Sequence, residues 1–263
     1  MANKIAAVYG SPGSGKTVTT VKIAKALAER KQNVIIVSPD DSVPLIPLLI
    51  PEAVDTPSIG ELLSADYISQ IDVLRHCVPY GKSQYISMLG YCRGENFMSY
   101  PDYSLQRATE LLNNLRCFDD DFILIDCTSD VSNFLTAAAL RQADVTFRIV
   151  NANPKSWLYF KSTSSLLLRD SGYRYKEQIN VLNNVSLWQD TGFAAEAVGN
   201  IRYVLPSVPE LTEQSEAASL LDTVFSKASR KYTSVINKLV MEVLIHEQER
   251  RPVRSRKAAN NVL

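Results

Sequence analysis

The chain has 263 residues, with 28 Lys plus Arg against 28 Asp plus Glu, so no global charge points to nucleic acid or an anionic membrane as partner. A hydrophobic fraction of 46% and a charged fraction of 21% are ordinary for a globular protein, and the length suits one large α/β domain or two smaller ones. Cys77, Cys92, Cys117 and Cys127 lack metal-ligand spacing. They argue against a zinc site, and we expect four free thiols.

Neither the N-terminus nor the longest apolar run has the features of a targeting or membrane segment. Residues 1–4 pass straight into a short apolar strand, unlike a signal peptide. The apolar run over residues 43–50 is too short to span a membrane and contains Pro44 and Pro47. We therefore expect a cytoplasmic protein.

A glycine-rich turn joins the first predicted strand, residues 4–9, to a predicted helix over residues 16–30 with apolar positions at helical spacing. The turn and the first helical residues read Gly10-Ser11-Pro12-Gly13-Ser14-Gly15-Lys16-Thr17-Val18. This matches G-x-x-x-x-G-K-[ST], whose backbone N–H groups cradle phosphate oxygens while the lysine reaches the β- and γ-phosphates and the Thr17 hydroxyl holds Mg²⁺. The pattern predicts ATP and Mg²⁺ as ligands. A glycine turn that fits by chance is the less favoured interpretation.

A second apolar strand, residues 34–37, completes a βαβ unit with a right-handed crossover. It ends in Ser38-Pro39-Asp40-Asp41, and carboxylates after a parallel strand lie at the edge of the sheet where ligands bind. Residues 42–57 are rich in Pro, Leu and Ile, and their prolines disfavour a regular helix. This apolar loop is either a packed lid or a partner surface, and the sequence leaves both open.

The middle of the chain predicts short elements around one long loop. Short helices are expected at residues 58–63 and 66–75, the first with a capping box formed by Ser58 and Glu61. A strand at residues 85–89 and a helix at residues 103–115 flank the loop.

A third apolar strand, residues 122–126, closes on Asp126 and matches the Walker B pattern, in which the carboxylate binds Mg²⁺ or one of its waters. Asp130 is a candidate N-cap for a helix at residues 132–141. Further strands are expected at residues 144–150, 178–182 and 201–205, with helices at residues 156–168 and from about residue 210. Asn183 and Pro206 directly follow two of these strands.

The order of these landmarks resembles the MinD/ParA group of P-loop ATPases (SIMIBI class), and particularly its CpaE/TadZ-like branch, which places pili and secretion machinery. The similarity covers roughly residues 4–225. It rests on the P-loop, on Asp40, on the strand ending at Asp126 with the Cys127-Thr128-Ser129-Asp130 segment, on Ala143-Asp144, on Asn183 and on the turn at residues 205–209. It implies an α/β fold with a doubly wound, mostly parallel sheet and helices on both faces.

The resemblance also implies roles for individual residues. Lys16, Asp40 and Asp126 would be catalytic, with Asp40 orienting the attacking water. Thr17 and Asp126 would hold Mg²⁺, the latter through water. Asn183 would touch the adenine, and the turn containing Pro206 would enclose the base. ATP would drive formation of a homodimer across the nucleotides, and hydrolysis would release it.

Two positions depart from the family pattern. Ser11 stands where the family has a second lysine that reaches across the dimer, and Ser38 stands where the family often has a first switch I acid. Loss of the lysine predicts slow hydrolysis. The chain is then either an ATP-driven switch that positions or recruits a pilus, secretion, conjugation or partition apparatus, or a weakly catalytic nucleotide-binding scaffold. A small-molecule kinase is less favoured, since no arginine-rich lid is evident.

The C-terminal region has a different composition. From Tyr232 to Leu244, apolar residues at i, i+3, i+4 and i+7 predict an amphipathic helix. We divide the chain into an ATPase domain at residues 1–225, a helix at residues 226–249 and a basic, disordered tail at residues 250–263. The helix is expected to pack on the domain or a partner. Contact with DNA or with the inner face of the membrane stays open but is not favoured.

Overall fold

A computed structural model of the chain describes residues 4–118, 121–168 and 178–245. In these ranges eight strands form one sheet in the order β3-β4-β2-β5-β1-β6-β7-β8. All neighbouring pairs are parallel except β3 with β4. The strands are β1 (Lys4–Gly10), β2 (Asn33–Val37), β3 (Val78–Pro79), β4 (Ile86–Leu89), β5 (Asp121–Asp126), β6 (Val145–Asn151), β7 (Gln178–Val185) and β8 (Ile201–Pro206).

Helices cover both faces of this sheet. The helices that contribute to the core on one face are α1 (Lys16–Ala28), α2 (Leu45–Leu49), α9 (Pro209–Glu216) and α10 (Lys227–Leu239), which continues as a π-helical segment, Val240–Ile245. The helices on the other face are α3 (Ile59–Ser64), α4 (Gln70–His76), α5 (Leu105–Leu115), α6 (Phe134–Gln142), α7 (Pro154–Leu168) and α8 (Gly192–Val198). The predicted doubly wound, mostly parallel α/β fold is confirmed.

The central strand β1 shows why these strands are almost wholly apolar. Ala6 and Val8 pack into the core on the α1 side, while Ile5, Ala7 and Tyr9 pack into the core on the α5 side. A parallel strand covered by helices on both faces has no solvent-facing positions. The glycine turn follows directly at the carboxyl end of β1.

Three local predictions are wrong. Residues 42–57 do contain one helical turn, α2, because Pro47 lies in its first turn, where a missing N–H costs no intrahelical hydrogen bond. The Ser58 hydroxyl accepts a hydrogen bond from the Gly60 N–H without a capping box; the capping box forms instead at Ser69 and Asp72 of α4. Of the two interpretations left open for residues 42–57, packing against the domain holds for the buried part of the segment, Leu45, Ile46, Leu49 and Ile50.

The third error concerns α6. Asn133 caps this helix by accepting the Thr136 N–H, whereas Asp130 accepts the N–H of Ser132 in the preceding turn. Both side chains suit a cap, and the helix begins two residues later than predicted.

The apolar stripe of α10 and its π-helical continuation faces the domain. Tyr232, Ile236, Leu239, Val243 and Leu244 are buried, and the helix packs against α1 and β8. The domain boundary at residue 225 stays a prediction, and the basic tail lies outside the described residues. Within the described ranges, no helix has the length and apolar character needed to cross a bilayer.

Candidate nucleotide-binding site

The glycines of the turn make room for close approach between backbone segments. Gly13 and Gly15 adopt left-handed φ values of 69° and 85°, which glycine tolerates readily. A Cβ atom at Gly15 would lie 2.3 Å from Nδ2 of Asn183, and one at Gly10 would lie 2.3 Å from the carbonyl oxygen of Ile149. The turn therefore needs glycine at these positions to lie against Ile149 of β6 and Asn183 of β7.

The first turn of α1 has no side-chain cap. Side chains cap α3, α4, α5, α6 and α10, whereas α1 has none, like α2, α8 and α9, and its N-cap, Gly15, offers no side-chain acceptor. The first N–H groups of a helix have no intrahelical partner and carry the positive end of its dipole. The start of α1 therefore suits a phosphate group, and it opens into a cleft of about 930 Å³.

Lys16 lies over the turn at the floor of this cleft. Its Nζ donates to Ser129 Oγ at 2.6 Å and to the carbonyl oxygen of Ser11 at 3.2 Å. Burial lowers the pKa of Lys16, and the nearby Asp126 carboxylate acts in the opposite direction. Both partners of the ammonium are neutral oxygens, which a phosphate oxygen could replace with a stronger, charge-assisted contact.

Asp126 lies beside Thr17 because β5 pairs with β1 in a register that places Asp126 opposite Val8. Thr17 Oγ1 donates to Asp126 Oδ2 at 2.7 Å, and Thr20 Oγ1 donates to Oδ1 at 3.1 Å. Burial raises the pKa of Asp126 to about 6, against the effects of these two hydroxyls and Lys16. A buried carboxylate without a cation is costly, so the site fits a hard cation.

The donor set suits Mg²⁺ in particular. Mg²⁺ keeps several waters and takes one or two protein oxygens together with substrate phosphates. Among the described residues no group of three or more His, Cys, Asp or Glu side chains could hold a metal ion alone. The Thr17 hydroxyl and the Asp126 carboxylate therefore fit a Mg²⁺ ion that arrives with a nucleotide.

Asp40, which follows β2, also lines the cleft. Its Oδ1 accepts the N–H groups of Ser42 and Val43 at 3.0 and 2.9 Å, which closes a turn and orients the carboxylate. The structure thus brings Lys16, Thr17, Asp40 and Asp126 to one cleft, as the sequence predicted.

A smaller cavity of about 190 Å³ adjoins the other side of the glycine turn. It is lined by Gly13, Ser14, Gly15, Val18, Asn183, Pro206 and neighbouring residues of α9 and α10. Asn183 Nδ2 donates to the carbonyl oxygen of Ser14 at 2.8 Å. The Ser14 hydroxyl is buried and has no hydrogen-bond partner among the described residues. The residues predicted to surround a base therefore converge, with Asn183 already tied to the turn.

Ser11 points away from the cleft. Its side chain is buried, and its Oγ donates to Ser156 Oγ at 3.0 Å, while that oxygen also accepts the Asn151 N–H. Sequence reasoning gave no role to Ser156, Thr20 or Tyr159. Of these, Thr20 had a detectable signal, because it lies one helical turn after Lys16 on the same face of α1.

No protein-family model and no curated protein matches this chain. Three solved structures cover nearly all of it: a ParA family ATPase from Chlorobium tepidum TLS, septum site-determining protein MinD with Mg-ADP from Pyrococcus horikoshii OT3, and a MinC:MinD complex from Aquifex aeolicus. Their sequence identities are 13%, 18% and 14%, and their TM-scores are 0.73, 0.72 and 0.70. The alignments cover 91%, 95% and 97% of this chain and 98%, 100% and 98% of the other chains.

The chain has the fold of these ATPases. At these identities the likeness establishes the fold alone, and it does not single out a branch. The CpaE/TadZ-like assignment and the roles of individual site residues stay predictions.

Proposed function

We propose that the chain binds ATP with Mg²⁺ in the cleft at the start of α1 and hydrolyses it slowly. One observation carries the proposal: Lys16, Thr17 and Asp126 converge at a helix start that has no side-chain cap. Positive charge, free N–H groups and oxygen ligands for Mg²⁺ are what a triphosphate requires. The Mg-ADP complex with MinD from Pyrococcus horikoshii, which shares the fold, supports the same ligand class.

Each chemical group then has a defined task. The turn's N–H groups and Lys16 would hold the phosphates, and Thr17 and Asp126 would hold Mg²⁺, which neutralises phosphate charge when bound. Asp40, which lines the same cleft, would orient the attacking water. On the other side of the turn, Asn183 and Pro206 would enclose the base.

We expect slow turnover because the cleft contains many carboxylates and few cations. Five aspartates line it, namely Asp40, Asp41, Asp102, Asp126 and Asp130, and Lys16 is the single lysine or arginine among the described lining residues. Transition-state charge in phosphoryl transfer is normally met by further cations. Ser11, held against Ser156, cannot supply one.

The output that we propose is an ATP-dependent homodimer that recruits a partner apparatus in the cytoplasm. The rim of the cleft carries exposed apolar side chains, Val43 at 62% and Phe134 at 45% exposure, beside Asp40 and Asn133. A second copy seated on this rim would cover both side chains and the nucleotide. The MinC:MinD complex is an example of this fold bound to a protein partner. A pilus, secretion, conjugation or partition apparatus is the partner class that we propose, while DNA or membrane contact through the C-terminal region is not favoured.

The second candidate function is a nucleotide-binding scaffold that keeps ATP bound and works as an interaction module. The buried Ser11 favours it, because the cross-dimer cation of the family pattern is missing. The two functions differ in whether nucleotide changes the assembly state.

Light scattering on the Asp40→Asn variant separates the two functions. Asparagine keeps an acceptor for the Ser42 and Val43 N–H groups, so the turn is retained, while the carboxylate that orients water is lost. We expect a dimer mass with ATP·Mg²⁺ and a monomer mass with ADP or without nucleotide. The same mass in all three conditions would contradict the switch and favour the scaffold.

A further inference from the structure

We propose that Tyr159 of α7 is a positioning residue of the ATP site, which holds Ser129 against Lys16 and links the cleft to α7. The proposal rests on the proposed function and adds a residue outside the motifs to it. Tyr159 does not line the cleft, so it acts through Ser129.

The contacts run without a break from α7 to the P-loop lysine. The Tyr159 hydroxyl donates to the carbonyl oxygen of Ser129 at 2.6 Å and lies 2.7 Å from the Tyr9 hydroxyl. Ser129 Oγ in turn donates to the carbonyl oxygen of Gly10 at 2.9 Å and accepts from Lys16 Nζ at 2.6 Å. One serine therefore touches the phosphate-binding lysine, the start of the turn and α7.

Packing fixes the Tyr159 ring in place. Its centroid lies 5.9 Å from that of Tyr9 and 5.3 Å from that of Phe160, the latter in an edge-on arrangement. Burial raises the pKa of Tyr159, so its hydroxyl keeps its proton and remains a donor to Ser129. Neighbouring Ser156 holds Ser11, so α7 contacts the P-loop directly at Ser11 and reaches Lys16 through Ser129.

Nucleotide binding would change the partners of Ser129. When Lys16 Nζ turns toward a phosphate, Ser129 Oγ loses its donor but keeps its bond to Gly10. The Tyr159 hydroxyl holds the backbone at Ser129 through that exchange. The same bond would pass any shift of the segment after Asp126 to α7, where Lys161 Nζ lies 4.8 Å from the centroid of the Trp157 ring.

Tyr159→Phe removes the donor and keeps the ring, and Tyr9→Phe is its matched control because it leaves the Tyr159–Ser129 bond intact. We expect Tyr159→Phe to bind ATP within about twofold of the parent affinity but to hydrolyse it about tenfold more slowly, the effect of one lost hydrogen bond on the barrier. Tyr9→Phe should stay within about twofold of the parent in both. Equal melting temperatures of the two variants would exclude a general loss of stability.

A spectroscopic measurement reports on α7 directly. The chain has two tryptophans, so all variants carry Trp188→Phe, which leaves Trp157 as the reporter. We expect ATP·Mg²⁺ to change the Trp157 emission in the parent and in Tyr9→Phe, and not in Tyr159→Phe.

The possible failures are distinguishable. A parent that binds no ATP overturns the proposed function itself. A Tyr159→Phe variant that binds ATP, hydrolyses it at the parent rate and keeps the full Trp157 response overturns this inference alone.

Discussion

Helix α1 carries two lysines with opposite roles, the half-buried Lys16 at its start and the buried Lys22 near its middle. Lys16 Nζ has two neutral oxygen partners and faces an open cleft. Lys22 Nζ donates to Gln214 Oε1 at 2.7 Å and to the carbonyl oxygens of Leu220 and Asp222 at 2.5 and 3.4 Å. Burial lowers the pKa of both, that of Lys22 to about 8.

The difference lies in how completely each ammonium group is satisfied. Lys22 has three acceptors for three protons, so it has no capacity left for a ligand and instead fixes the segment after α9 to α1. Lys16 can exchange its partners for phosphate oxygens. Burial and a lowered pKa alone therefore do not identify a functional lysine, whereas an open cleft beside exchangeable partners does.

The largest expected effect on stability is that of Lys22→Met. Methionine keeps most of the alkyl volume, but two backbone carbonyls and Gln214 lose their donor. Unsatisfied buried acceptors predict a loss of about 2–4 kcal/mol in the free energy of unfolding. Denaturant titration would measure it. Lys25→Met is the milder control, because Lys25 Nζ donates to the carbonyl oxygen of Leu221 and to the exposed Thr223 hydroxyl. ATP affinity measured below the unfolding transition should be unchanged in both.

Ser11→Ala tests the P-loop on the side that faces α7 and not the cleft. It removes the buried hydrogen bond to Ser156 and should lower the free energy of unfolding by about 1 kcal/mol. Because Ser11 Oγ points away from the cleft, hydrolysis should stay within about twofold of the parent rate. A larger loss of hydrolysis at unchanged stability would show that the Ser11 side chain acts on the nucleotide.

The smallest effect is expected for Glu210→Gln, in the segment next to the one that Lys22 holds. Glu210 accepts hydrogen bonds from the Ser229 hydroxyl and from the N–H groups of Phe225 and Ser226, which lower its pKa to about 2. A carboxyl with a depressed pKa stabilises the fold above its unfolded pKa, near 4.5, and that contribution disappears as the pH falls toward 2.

The parent should therefore lose stability between pH 4.5 and 2 more steeply than Glu210→Gln, and at pH 7 the variant should melt slightly lower. Melting curves over this pH range would measure both differences. Parallel curves for the two proteins would rule out this role of Glu210.

The sequence predicted those site residues that belong to a continuous motif or to the end of a strand. Lys16, Thr17 and Asp126 could be paired in advance because a P-loop and a Walker B strand imply adjacent parallel strands. Ser129 was predicted as part of a segment, without its contact to Lys16. Tyr159 contacts Ser129, 30 residues away in sequence, and Ser156 contacts Ser11 of the P-loop, 145 residues away. No local pattern encodes such contacts.

Errors in the fold arose where two local signals competed. Asp130 and Asn133 are both good caps; Asn133 caps α6, whereas Asp130 accepts the N–H of Ser132 in the preceding turn. Prolines over residues 42–57 indicated irregular structure, yet Pro47 falls in a helical first turn. The short strand β3 was not predicted, since two residues with a proline carry almost no strand signal.

Calorimetric titration of ATP·Mg²⁺ into the parent and into Lys16→Ala tests the central claim most directly. We expect the parent to bind and the variant to bind at least about tenfold more weakly, since a charge-assisted contact to phosphate contributes about 1.5–3 kcal/mol. Both proteins should have closely similar melting temperatures without nucleotide. Equal ATP affinity in the two proteins would contradict nucleotide binding at the start of α1.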